Sequence, residues 1–193
     1  MCATASDSYD RSHMRGKEEH VVLVNELDEP LGTMGKMEAH RTGRLHRAFS
    51  VFVFNSRGHA LVQKRASTKY HSGGLWSNAC CGHPRPGETV ENAARRRLKE
   101  ELGIAPPSIP EFHFSYKASL PNGLIEHEFD HVLFAQFDGA ADPCPDEVEQ
   151  WRYVDPGELT SEIREHPERF TVWLRLCWQE VLSRWVARSS SAA

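Results

Sequence analysis

Several things are missing from this 193-residue chain, and each absence removes a class of answer. No apolar stretch approaches the roughly 20 residues that span a bilayer, so a membrane helix is not expected. The N-terminal segment MCATASDSYDRSHMRGKEE has no apolar region of the kind that drives secretion. Its five cysteines form no CxxC pair and no regular framework. An odd count without a secretory signal points to free thiols in a reducing compartment, hence to the cytoplasm. A basic excess is also missing: the formal net charge is −4, which offers nothing to a nucleic-acid backbone. There is no internal repeat and no regular βα alternation.

What remains is a globular composition, 39% hydrophobic and 26% charged, in a chain of one-domain size. Residues 1–18 and 188–193 are polar or small and unpatterned, so both are expected to be disordered tails around a catalytic domain at 19–187. Strands are expected at 20–25, 47–55 and 60–66, the last two as a hairpin closed by Asn55-Ser56-Arg57-Gly58. Asp28-Glu29-Pro30 reads as a turn. A short strand runs through LWSNACCGH to near Gly82, after a Gly-rich loop at His71-Ser72-Gly73-Gly74. The clearest helix spans 88–102, where Val90, Ala94, Leu98 and Leu102 recur every fourth residue and Gly103 supplies a stop. Further strands are expected at 112–118, 124–137 and 148–154. A helix follows from near Pro156, and a last amphipathic helix runs over about 168–186. Mixed strands and helices in this order give an α+β class.

Chemistry concentrates in a few places. Arg97 and Glu101 are four apart and share a helix face, where they can meet one phosphate–metal assembly. A run such as RRRLKEELG is equally a solvated helix with i,i+4 ion pairs. Glu126 and Glu128 are two apart on an expected strand and point to one side, with His127 turned away. Cys81 shares parity with His83, whereas Cys80 faces the opposite way and reads as a structural thiol.

The segment from Gly82 through Glu88, Arg96, Arg97, Glu100, Glu101 and Gly103 resembles the Nudix signature at every fixed position but one: Arg97 stands where the signature has glutamate. Exchanging a metal-binding carboxylate for a guanidinium favours gripping a diphosphate over cleaving it. From about His20 to Trp185 the chain is similar to type I isopentenyl diphosphate isomerases, through AHRTGRLHRAFS (39–50), QKRASTKYHSGGLWSNACCGHP (63–84), SYKA (115–118) and GLIEHE (123–128).

That resemblance implies a Nudix-like mixed β-sheet core flanked by helices and an isomerase of isoprenoid biosynthesis that shifts the double bond of isopentenyl diphosphate. It implies a Mn²⁺, Zn²⁺ or Mg²⁺ held by His40, His46, His83, Glu126 and Glu128. His40 and His46 are six apart, one fewer than the family spacing, which makes His40 the least supported ligand. Cys81 would be the catalytic thiol, a thiolate that accepts a proton, with Glu128, relayed through Tyr116, as the proton donor on the other side of the carbon skeleton. Either group can in principle be the acid. Trp173 would either face a carbocation or simply pack in the core. Lys36, Arg65, Lys69 and Arg97 would clamp the diphosphate, accompanied by Mg²⁺ on Glu101 and the carbonyl of Cys81. No nucleic-acid or membrane partner is implied, and oligomeric state is left open. The competing readings are a Nudix hydrolase of a nucleoside or prenyl diphosphate and a non-catalytic Nudix-fold binding protein.

Overall fold

A computed structural model describes residues 19–191, apart from the side chains of the last three; the expected N-terminal tail lies outside them. The strands are β1 (His20–Val24), β2 (Pro30–Gly35), β3 (His46–Phe54), β4 (Ala60–Arg65), β5 (Trp76–Asn78), β6 (Cys80–Gly82), β7 (Ser108–Ser119), β8 (Ile125–Gln136) and β9 (Val148–Val154). The α-helices are α1 (Lys36–Thr42), α2 (Val90–Leu102), α3 (Pro156–Glu165) and α4 (Val172–Ser191). This is the expected α+β architecture, a mixed sheet flanked by helices. Among the described residues, no helix is long and apolar enough to cross a membrane.

Strand β3 organises the sheet. Its nine residues pair in parallel with β8, from His46 opposite Glu128 to Phe54 opposite Gln136. Its other edge is shared in turn by β1, β6 and β4. The expected β3–β4 hairpin therefore exists at only two pairs, Val53 with Leu61 and Phe54 with Ala60. Beyond them β4 pairs with β5 at Val62, Gln63 and Lys64, and its other edge pairs with β9 from Ala60 to Arg65.

The pleat sends alternate β3 residues into two cores. Phe49, Val51 and Val53 pack with Ala93, Ala94, Leu98 and Leu102 of α2. Phe52 and Phe54 pack with Leu159 of α3 and with Trp173, Leu174, Trp178 and Trp185 of α4. Helix α2 begins where Thr89 caps it by accepting from the Asn92 amide and ends at Gly103, whose φ of 69° suits glycine. Leu98 is fully buried at the centre of this face. Leu98→Ala is expected to cost about 2–5 kcal/mol, read as a lower midpoint in urea unfolding with unchanged slope.

Two elements were not expected. The segment 30–42 forms β2, paired antiparallel with β1, and then the short helix α1. The last helix begins later than expected, at Val172, and runs to Ser191, so residues 188–191 continue it rather than forming a tail.

Candidate active site

The site is built where β3, β6, β7 and β8 meet, beside α1 and the loop that precedes β5. Helix α1 places Lys36 and His40 one turn apart on the same face, and Gly43 reverses the chain in a left-handed conformation at φ 63°. His46 then opens β3, so the six-residue interval brings both imidazoles to one place. Their ring centroids lie 4.9 Å apart. His83 follows β6, and its ring centroid lies 4.9 Å from that of His46 and 5.5 Å from that of His40. Glu128 comes from β8, opposite His46 in the register.

Potential ligand atoms of His40, His46, His83 and Glu128 all lie within 4.8 Å of one another. The Nδ1 atoms of His40 and His46 sit 2.8 Å from the carbonyls of Lys36 and Arg44. A proton on each Nδ1 makes those bonds and leaves Nε2 a lone pair aimed inward. His40 Nε2 is buried without any hydrogen-bond partner, and His46 Nε2 lies 3.2 Å from His83 Nε2. Such an orphaned nitrogen and such a nitrogen–nitrogen approach fit a cation better than they fit each other. Burial pushes His83 down to about 3, so its imidazole is neutral and free to ligate. Burial also works against the Glu128 carboxylate, but the neighbouring imidazoles of His46 and His83 outweigh it and hold the group ionised, well below the usual range.

Glu126 stands apart from this group. It shares the Glu128 face of β8, as the i,i+2 spacing predicts, but its carboxylate accepts from Tyr116 Oη at 3.2 Å and lies 3.6 Å from His71 Nδ1. Burial and the charge of Glu128 raise its pKa, so Glu126 is the protonated member of the pair. Tyr116 pairs with Glu128 across β7–β8 and donates to it at 2.6 Å. His127, on the other face, sits 2.9 Å from the carbonyl of Gly43.

A cavity of about 370 Å³ opens onto this cluster. The expected residues Lys36, Arg65, Lys69, Cys81, His83, Arg97, Glu101, Glu126, Glu128 and Trp173 all line it. Cys80 and Cys81 divide as parity requires: Cys80 is fully buried in the α2 core, and Cys81 faces the cavity. The thiolate expected for Cys81 is not its resting form. Burial pushes the thiol up to about 12, although Arg65, 3.9 Å from the sulfur, pulls in the other direction. Trp173 packs in the α4 core, donates from Nε1 to Ser77 and Asn78 at 3.0 Å each, and also lines the cavity.

Around the Arg97 wall, Glu101 is 2% exposed, accepts from Gln63 at 2.7 Å and pairs with Arg97, which also bonds Glu100. Glu88 takes a two-armed bond from Arg96, at 2.8 Å for each arm, which fixes the loop ahead of α2. Four residues near the site carry no role in the sequence reading: Glu19 pairs with Lys36, Tyr70 lies under the Lys36 ammonium, His71 faces Glu126, and Glu147 bonds Lys69 and Arg97. None has a periodic or paired context that would single it out.

A family model described as NUDIX domain matches residues 44–174. The chain is 52% identical over 166 residues to isopentenyl-diphosphate Delta-isomerase 1 of Aromatoleum aromaticum, covering 86% of this chain and 94% of that protein. It is 49% identical over 170 residues to the isopentenyl-diphosphate Delta-isomerase of Pectobacterium atrosepticum, covering 88% and 95%. Among solved structures, DR0079 from Deinococcus radiodurans superposes with a TM-score of 0.71 at 26% identity, covering 84% of this chain and 98% of that one.

Proposed function

Because the chain belongs to the isopentenyl-diphosphate Delta-isomerase family of the Nudix superfamily, we propose that it converts isopentenyl diphosphate to dimethylallyl diphosphate, supplying isoprenoid synthesis. One observation carries the reading at the level of residues. Cys81 of β6 and Glu128 of β8, the latter accepting from Tyr116, line the same cavity beside a wall of Lys36, Arg65, Lys69 and Arg97. The four cations grip the diphosphate and leave the hydrocarbon end among Cys81, Trp173 and Glu128.

The alkene needs one group to give a proton to its terminal carbon and another to remove one from the carbon beside the oxygen-bearing carbon. A tertiary cation forms between these steps, and the π face of Trp173, a residue of the cavity lining, would stabilise it. In the free protein the proton rests on Cys81 and on Tyr116, while Glu128 is ionised. Reversal of the reaction exchanges the roles of donor and acceptor.

The implied cations, one of Mn²⁺, Zn²⁺ or Mg²⁺ at His40, His46, His83 and Glu128 and a Mg²⁺ with the diphosphate beside Glu101, would supply charge that tunes Glu128 and screens the phosphates. Glu126, protonated and bonded to Tyr116, borders this ligand set and orients the couple. A hydrolase is less supported, since Arg97 already occupies the α2 carboxylates Glu100 and Glu101. Free thiols at Cys80, Cys81, Cys144 and Cys177 support a cytoplasmic setting.

Incubation with isopentenyl diphosphate and Mg²⁺ in D₂O is expected to give dimethylallyl diphosphate carrying deuterium. Release of inorganic phosphate or a monophosphate, or no conversion by folded, metal-loaded protein, overturns the proposal.

A further inference from the structure

Two cations of the cavity wall, Lys69 and Arg97, come from unrelated parts of the chain. Lys69 sits in the loop between β4 and β5, and Arg97 sits in α2. Both reach the same carboxylate: Lys69 Nζ bonds Glu147, and Arg97 Nη2 donates to Glu147 Oε2 at 3.1 Å. Lys69 and Arg97 line the cavity, and Glu147 does not. The carboxylate therefore joins two cavity-lining cations without itself lining the cavity.

The backbone around Glu147 ties the same two elements together. The Cys144 amide donates to the Glu101 carbonyl at the end of α2, and the Glu147 amide donates back to the Cys144 carbonyl, each at 2.9 Å. The Glu147 carbonyl then accepts from the Ala66 amide at 3.0 Å, at the start of the Lys69 loop. Burial alone would push the Glu147 carboxyl up, but Arg97 and Lys69 hold it below its ordinary value, so it is ionised.

We propose that Glu147 is a positioning residue for diphosphate recognition, joining the Lys69 and Arg97 halves of the clamp so that both are set before a ligand enters. The proposal rests on the isomerase reading only for the identity of the organic part of the ligand. Its physical basis is preorganisation. A free lysine side chain has many rotamers to lose on binding, and a fixed one has already lost them. Arg97 keeps Glu100 and Glu101 when Glu147 is removed, so the loss falls mainly on Lys69.

Glu147→Gln keeps the shape and removes the charge. It is expected to weaken binding of inorganic diphosphate with Mg²⁺, measured by calorimetry, by about tenfold, and to raise KM for isopentenyl diphosphate in proportion, with kcat within about twofold. Glu149→Gln makes the same charge change at the Lys64–Glu149 surface pair and is expected to leave both constants unmoved. In a Lys69→Met background, Glu147→Gln should add less than about twofold, the non-additivity of two residues acting as one unit.

Unchanged or tighter diphosphate binding in Glu147→Gln overturns the proposal, because the carboxylate would then be a bystander or a competitor. Full additivity with Lys69→Met, or a fall in kcat at constant KM, overturns it as well. If Glu147→Gln does not fold, Glu147→Asp, which draws the charge back by one methylene, must show the weakening instead. Wild-type protein that binds diphosphate without isomerising the substrate would remove the proposed function and leave the clamp assignment intact.

Discussion

Glu128→Gln is expected to lower kcat by at least about 10³-fold, the scale of losing both a general acid–base group and its preset electrostatics. No other side chain touches so much of the site. Its carboxylate is 3.0 Å from His83 Nε2, 3.6 Å from His46 Nε2 and 4.0 Å from His40 Nε2, and it accepts from Tyr116 at 2.6 Å. The amide has nearly the same volume, so packing around β8 survives and the melting temperature should move little. It cannot carry the proton, and it turns a neutral group toward three imidazoles. Bound divalent metal, measured by elemental analysis after dialysis, is expected to fall together with turnover. Retention of more than a tenth of wild-type turnover would exclude Glu128 from the chemistry.

The second large effect separates neighbouring thiols. Cys81→Ser is expected to lose about 10²–10⁴-fold in kcat, because a hydroxyl neither gives nor holds a proton at the affinity of a thiol. Metal content and fold should be retained, since Cys81 lies outside the group of potential ligand atoms at His40, His46, His83 and Glu128. Cys80→Ser should show the opposite profile. Its hydroxyl enters a fully buried core among Phe49, Val51 and Leu98, at a cost of about 1–3 kcal/mol in stability, while kcat stays near wild type. An inactive Cys80→Ser beside an active Cys81→Ser would reverse the assignment.

The contrast between those thiols was legible in the sequence because strand parity is a local rule. The same holds for the shared face of Glu126 and Glu128, and for α2, where the apolar period and the Gly103 stop agree. The segment 30–42 was not legible. Strand β2 is mostly exposed and interrupted by glycines, and α1 has only seven residues, too few to display a period. Their structure comes from pairing with β1 and from burial of Ala39 and His40. The parallel register of β3 with β8, which sets His46 against Glu128, is a relation between distant segments that no local pattern records. His71 and Glu147 were hidden for a similar reason: a single histidine or glutamate in a loop gains meaning only from what the fold brings beside it.

The β3–β8 pairing has a kinetic side. The two strands are far apart in sequence and parallel, so a long loop must be closed before any of their nine pairs can form. His46 and Glu128 become neighbours only through that long-range pairing, whereas His40 and His46 are brought close by local turns. Any ion gripped by all four side chains therefore selects the finished fold over its precursors. It would act as a clasp on that pairing, stabilising the native state by mass action.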